Sequence, residues 1–295
     1  MKKKLLFVYN PKAGREKIRE NLAEILDVFA DREYELTVVP TRAKNDAKNA
    51  IKDRGDAYDL VVVCGGDGTL DEAVTGMIQS GIRTPMGYIP GGSTNDFGES
   101  LGLSKNMVQA AKTAVDGQDF ACDIGAFNED VFVYIAAFGL FTDVSYETDQ
   151  AVKNVLGHGA YVLEGIKRLS SIKSYSIKVS YENQEIEDDF IFGMISNSRS
   201  VGGFKNITGK DVHLDDGLFE VTLVKMPANP ADLSSIMGSL FNRDIDSELT
   251  YCFRTDKLVI ESKEPIAWTL DGENGGEHAR VEIRNLHGGI VVRVN

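Results

Sequence analysis

The sequence has 295 residues, 42% of them hydrophobic and 26% charged, with a formal net charge of −13. That length exceeds one average domain and the apolar content suffices for two cores, so two domains are expected. The negative charge argues against general binding to nucleic acid or anionic lipid. No stretch approaches the roughly 20 apolar residues of a membrane-spanning helix. The three cysteines, Cys64, Cys122 and Cys252, are scattered and form no CxxC pair, which points to a reducing compartment. The expected setting is cytoplasmic, with any membrane contact peripheral at the inner face.

In chain order, LLFVY (5–9) reads as a strand, and residues 15–30 place Ile18, Leu22, Ile25, Leu26 and Phe29 on one helical face. YELTVVP (34–40) is a strand that Pro40 closes; residues 44–54 look helical, and DLVVVC (59–64) is a continuous apolar run. A helix over 70–80, the strand MGYIP (86–90) and a helical stretch from about 94 follow. LVVV has lost polar alternation, as strands buried on both faces do. The β-α order predicts a parallel sheet with helices on both faces.

From about residue 120 the pattern changes. ACDIGAFNEDVFVYIAAFG, SYSIKVSYENQEIEDDFIFGMISN, GLFEVTLVKM, YCFRTDKLVIES and ARVEIRN are strand-like and separated by turn signals. Turns at Asn128-Glu129-Asp130 and Asn183-Gln184 suggest hairpins, hence an antiparallel system. Two helices interrupt it, over roughly 149–171 and from Asn229-Pro230, an N-cap followed by Pro, to about 241. The expected division is 1–125 and 126–295, with the last segment open to returning to the N-terminal part.

Two glycine-rich loops carry most of the functional signal. Gly65-Gly66-Asp67-Gly68-Thr69 follows the buried strand, and Pro90-Gly91-Gly92-Ser93-Thr94-Asn95-Asp96 follows the next one; each precedes a helix. Both lie at carboxyl ends of parallel strands, where open α/β sheets form their ligand crevice. Glycine lets a phosphate approach main-chain N–H groups, and the following helix turns its positive end to the same place. Thr69 and Thr94 offer hydroxyl donors, and Asp67 can hold Mg²⁺ or a metal-bound water. Asn10-Pro11-Lys12-Ala13-Gly14 ends the first strand and faces the same crevice. The chain has no Walker loop, no GxGxxG fingerprint, no HRD or DFG set, no GxSxG and no zinc pattern.

Leu270-Asp271-Gly272-Glu273 reads either as a plain hairpin turn or as the source of a carboxylate that accepts a hydroxyl proton, Asp271, with Glu273 positioning Mg²⁺ or substrate. Asp215-Asp216-Gly217 reads either as an acidic turn or as a Mg²⁺ site. Residues 1–20 hold seven Lys/Arg against two Glu. At about 1 kcal/mol per basic residue near an anionic leaflet, that excess supports transient docking only. Arg15 and Arg19 are its candidates for membrane or substrate contact. The four histidines form no cluster.

NPKAG (10–14), CGGDGTLDEAVTGM (64–77), YIPGGSTNDF (88–97), LDDGLFEV (214–221) and LDGENGG (270–276) resemble, in order, the diacylglycerol kinase catalytic family, which is related to sphingosine kinases and NAD kinases. The resemblance implies a nucleotide-binding α/β domain and a β-sandwich-like lipid-substrate domain with a cleft between them. It implies ATP and Mg²⁺ as cofactors, a membrane lipid as substrate, and diacylglycerol as its natural choice. Asp271 is then the general base; Gly65–Thr69, with Gly92, Thr94 and Asn95, surround the ATP phosphates; Asp67 assists Mg²⁺. Asp215 matches a structural Mg²⁺ site, and a homodimer is implied that the residues themselves do not indicate. Glu99 departs from the Arg that often follows the NDF run, and Arg15 is the expected compensation. A soluble acceptor such as NAD, or a nucleotide-binding module without catalysis, are the alternative readings.

Overall fold

The computed structural model describes residues 2–139, 173–202, 204–205, 212–229, 232 and 249–295, with backbone alone at residues 15, 16, 204 and 205. The first part runs β1 (Lys4–Tyr9), a 3-10 turn (Ala13–Glu16), α1 (Lys17–Ala30), β2 (Glu35–Pro40), α2 (Asp46–Arg54), β3 (Leu60–Gly65), α3 (Asp67–Ser80), β4 (Met86–Pro90), α4 (Asp96–Ser100) and α5 (Met107–Asp116). β4, β3, β1 and β2 pair in that order, all parallel. Alternate residues of β1 and β3 face opposite ways. Leu6, Val8, Val61 and Val63 pack with Ala47, Ile51, Ala73 and Val74 of α2 and α3. Leu5, Phe7, Leu60 and Val62 pack with Ile18, Ile25, Ala110 and Ala111 of α1 and α5. Helices therefore cover both faces, which is why the apolar run of β3 is unbroken.

Local signals set the helix ends. Asn106 accepts the Gln109 N–H at 2.9 Å to start α5. α3 stops at Gly81, whose φ of 67° lets its N–H return to Ile78 O while Ile82 N–H reaches Met77 O. α5 is a separate helix that the sequence reading left inside one stretch from 94. Its short predecessor α4 is bounded by Gly102 at φ 68°.

The rest is β5 (Gln118–Phe127), β6 (Asp130–Phe132), β7 (Ile135–Gly139), β8 (Tyr175–Tyr181), β9 (Gln184–Ser196), β10 (Ser200–Val201), β11 (Phe204–Lys205), β12 (Phe219–Lys225), β13 (Thr250–Thr255), β14 (Lys257–Leu270) and β15 (Glu273–Val294). The hairpins turn at Asn128-Glu129 and, one residue before the expected place, at Glu182-Asn183. Among the described residues β10 and β11 pair as a two-stranded sheet of their own. The other nine strands join β1–β4 in one 13-stranded sheet. β9 and β14 are long enough to pair with β7 along one half and β8 along the other, so hydrogen bonding continues around a second core of Phe127, Phe138, Phe190, Phe219, Trp268 and their neighbours.

β15 joins the two parts. Its first half pairs with β14; after an irregularity between Leu286 and Ile290 it continues along β5, and Val292 pairs in parallel with Met86 of β4. The buried Asp123 fastens this bend: its carboxylate accepts from Gly288 N–H at 2.7 Å, His287 Nδ1 at 2.9 Å and Gly217 N–H at 2.6 Å. No helix among the described residues is long and apolar enough to cross a membrane. The helix expected over 149–171 lies outside the described residues, as does that from 229 onward except its start. There Asn229 Oδ1 accepts the Asp232 N–H and Asp232 Oδ2 accepts the Ala228 N–H, both at 3.0 Å.

Candidate active site

The two glycine-rich loops touch through their backbones. Gly91 N–H donates to Gly65 O at 2.7 Å, and a Cβ added to Gly92 would stand 2.6 Å from Gly66 Cα. At Gly65 the same atom would meet Thr69 Cβ at 2.5 Å. These glycines are needed for close approach, whereas at Gly68 the nearest atom would be Glu273 Oε1, 3.7 Å away.

Asn95 organises the second loop. Its side chain accepts from Gly92 N–H at 2.7 Å and donates to Gly92 O at 2.8 Å, while its own N–H donates to Asp67 Oδ2 at 2.9 Å. Asn10 organises the third piece, accepting the Lys12 N–H at 2.9 Å and donating to Thr69 Oγ1 at 3.3 Å. Three strand ends are thereby locked at one edge of the parallel sheet.

Asp271 and Gly272 form the two-residue turn between β14 and β15, with φ of 52° and 84°. Both readings of the Asp-Gly pair therefore apply: it is a hairpin turn, and it presents a carboxylate. That carboxylate is buried. Oδ2 accepts from Val133 N–H at 2.5 Å; Oδ1 accepts from Tyr134 and Ile135 N–H, each at 2.9 Å. Burial pushes its pKa up to about 7, against these three donors, which favour the charged form.

Asp71 was not singled out from the sequence, yet it belongs to this group. Burial and then the charges of Asp271 and Glu273 push it up to about 8. Asp67 is pushed up to about 6, by burial first and the Asp96 charge second. Asp67 and Asp71 are four residues apart on α3, the spacing that puts two side chains on one helix face; that was the available signal.

A cavity of about 610 Å³ opens beside these groups. Asn10, Lys12, Gly66, Gly68, Thr69 and Gly92 line it, as do Asp71, Asp130 and Glu273. The opposite wall comes from the segment after β2 and the start of α2: Thr41, Arg42, Lys44 and Lys48. Sequence reasoning missed this wall because its cations carry no pattern beyond ordinary surface charge. Glu72 holds it in place, accepting from Asn45 N–H at 2.7 Å and Ala47 N–H at 3.2 Å. Lys44 Nζ reaches Glu273 Oε2 at 3.3 Å.

The remaining candidates behave differently. Pro11, Gly65, Asp67, Thr94, Asn95 and Asp271 do not line the cavity; Thr94 is exposed and Pro11 half-buried, while Gly65, Asp67 and Asn95 tie the two loops together and Asp271 belongs to the carboxylate group. Asp215 is exposed on a turn away from the cavity, fastened to Asp123 through Gly217 N–H and Leu214 O. Arg19 is exposed on α1, and the Arg15 side chain lies outside what is described. Glu99 pairs with Lys105 at 3.3 Å. Asp96, also unforeseen as a contact, ties α4 to β10 by accepting from Ser200 Oγ at 2.6 Å and Gly202 N–H at 2.8 Å.

For Mg²⁺, the relevant observation is Asp67 Oδ1, a buried carboxylate oxygen with no hydrogen-bond partner. A hard cation or its bound water satisfies such an atom, so Asp67 fits the expectation. Among the described residues no group of three His, Cys, Asp or Glu side chains is arranged to hold a metal by itself.

Glycine loops at strand ends facing a cationic wall suit the binding of a phosphate group, and comparison with known proteins identifies the class of protein. Residues 4–127 match the family model described as diacylglycerol kinase catalytic domain. The chain is 31% identical over 277 residues to a diacylglycerol kinase of Bacillus subtilis (strain 168), covering 93% of this chain and 91% of that one. It is 31% identical over 282 residues to a diacylglycerol kinase of Staphylococcus carnosus (strain TM300), covering 94% and 90%. A crystal structure from Bacillus anthracis str. Sterne, provisionally described as a diacylglycerol kinase, superposes with a TM-score of 0.85 at 27% identity over 100% of this chain and 96% of that one. The chain belongs to the diacylglycerol kinase family. It is a lipid kinase, and membership of a kinase family implies the use of ATP.

Proposed function

We propose that this enzyme transfers the γ-phosphoryl group of ATP to the hydroxyl of diacylglycerol, giving phosphatidic acid and ADP. The observation that carries the reading is the composition of the cavity. Glycine loops and a cationic wall suit a nucleotide triphosphate, while the buried carboxylates beside them suit proton acceptance from an alcohol. Among the described residues its lining carries many charged side chains, with Val131 and Leu270 as the only larger apolar ones, so the acyl chains of the lipid stay outside it, in the bilayer.

In this reading residues 1–125 bind nucleotide and residues 126–295 present the lipid. The backbone of Gly66, Gly68 and Gly92 cradles phosphates, and Asn10, Asn95 and Thr69 hold those loops in register. Asp271 accepts the hydroxyl proton; its three N–H partners fix its direction, and Oδ2, with a single such donor, retains a lone pair for that proton. As the acceptor oxygen bonds to phosphorus, the bond to the ADP oxygen breaks, and the proton rests on Asp271 until solvent removes it. Mg²⁺, held by Asp67 with help from Glu273, would neutralise charge on the transferring phosphates. Arg15 and Arg19 contribute to transient contact with an anionic surface, and the enzyme acts as a homodimer peripheral to the membrane.

The test is transfer from γ-labelled ATP in mixed micelles, with diacylglycerol, sphingosine and NAD as separate acceptors. Label in phosphatidic acid alone is expected. Label in NAD, or in none of them, would move the assignment to a soluble acceptor or to a binding module. Arg15→Glu is expected to weaken activity on anionic vesicles far more than ATP binding; equal losses would remove its membrane role.

A further inference from the structure

Lys44 and Glu273 meet across the cavity mouth, one from the segment after β2 and the other from the first residue of β15. The pair is 3.3 Å long, and its side chains are 75% and 53% exposed. Both residues line the cavity. Glu273 also approaches the glycine loop, its Oε1 standing 3.7 Å from where a Cβ on Gly68 would be. A carboxylate thus occupies the space between the loop and the cationic wall, where Lys12, Arg42 and Lys48 also face inward.

Resting on the kinase reading above, we propose that Lys44 is a positioning residue for the terminal phosphate, releasing Glu273 and taking up the γ-phosphoryl oxygen when ATP enters. Glu273 serves as an internal stand-in for that phosphate in the nucleotide-free protein. An exposed lysine–carboxylate pair is weakly held, so a multiply charged phosphate displaces it readily, and a charge-assisted contact to phosphate is the stronger of the two. The exchange has a second consequence. Glu273 loses its cationic partner at the moment the phosphates arrive, and its carboxylate is free to turn toward the metal or the acceptor. One residue's switch of partner therefore prepares two others.

The inference depends on phosphate number, which a merely structural lysine would not sense. Calorimetric titrations of wild type and Lys44→Met with AMP, ADP and a non-hydrolysable ATP analogue read it directly. The expected result is about a tenfold loss for the analogue, no change for AMP, and recovery in Lys44→Arg. Glu273→Gln, titrated without divalent metal, is expected to bind the analogue more tightly than wild type, with an effect that does not add to that of Lys44→Met. Equal losses for all three nucleotides, no loss for any, or strict additivity would overturn the exchange. A wild type that binds none of the three would instead overturn the nucleotide reading, and this inference with it.

Discussion

Tyr134 holds Asp271 from both ends: its backbone N–H donates to Oδ1 at 2.9 Å, and its phenol donates to the Asp271 carbonyl oxygen at 3.1 Å. The two residues are 137 positions apart, and Asp271 N–H completes the clasp by donating to Ile135 O. The turn that carries the carboxylate is thus anchored to the segment between β6 and β7. Tyr134→Phe removes one hydrogen bond from a buried site, at a cost of about 1 kcal/mol. Chemical denaturation is expected to show that loss, with turnover reduced severalfold and nucleotide affinity retained. Unchanged turnover would mean that the phenol does not contribute to aiming the carboxylate.

Asp271→Asn is expected to be more severe on both counts. An amide cannot accept from all three backbone N–H groups that face the carboxylate, so about 1–3 kcal/mol of stability is lost. Turnover falls by roughly 10²–10⁴, the range for loss of a general base. Circular dichroism and denaturation, run alongside the transfer assay, separate the two effects. Near-normal turnover in a folded variant would show that another group takes the proton.

Glycine substitutions distinguish close backbone approach from open space. Gly92→Ala drives a methyl to 2.6 Å from Gly66 Cα, a backbone atom that cannot step aside. Overpacking of this kind costs about 1–3 kcal/mol, and the two loops lose their mutual register. Gly68→Ala meets nothing nearer than a flexible carboxylate at 3.7 Å. Thermal denaturation is expected to rank Gly92→Ala well below wild type and Gly68→Ala beside it. The opposite ranking would contradict the observed contact between the loops.

The carboxylate group also dictates a pH dependence. Burial raises Asp67 to about 6, Asp271 to about 7 and Asp71 to about 8. Between the ordinary value of 3.8 and these, the folded protein binds more protons than the unfolded chain. Stability from this group is therefore full at the acid end and is lost as pH rises through about 6 to 8. Turnover has the opposite trend and rises through about pH 7, as Asp271 loses its proton. Denaturation at pH 6 and pH 8 checks the first trend. Asp71→Asn, which keeps a neutral group where burial favours one, is expected to narrow the difference between them.

Much of this site was legible locally. The loops at 65–69 and 90–96 could be placed because glycine, strand and helix signals lie within a few residues of each other. The hairpin at 271–272 was equally readable as Asp-Gly between two strand-like runs. What could not be read was which acids gather. Asp71 looks like an ordinary surface residue of an amphipathic helix until β15 brings Glu273 and Asp271 beside it. Asp215, by contrast, has a suggestive acidic neighbour in sequence but lies on an exposed turn away from the cavity.

The sequence by itself determined the alternation of strands and helices in residues 4–90 and the phosphate-type loops, because these rest on periodicity and on backbone freedom over a few residues. The tertiary structure alone decided the cationic wall of Thr41–Lys48, the burial of Asp271 under the Val133–Ile135 backbone, and the Lys44–Glu273 pair. The wall is held by Glu72 of α3, Asp271 is carried in by β14 pairing with β7, and Glu273 opens β15, which returns from the β-rich part to lie beside β4. Pairing across such separations is set by the packing of two cores and by strand register, and neither leaves a trace in the neighbouring residues of the chain.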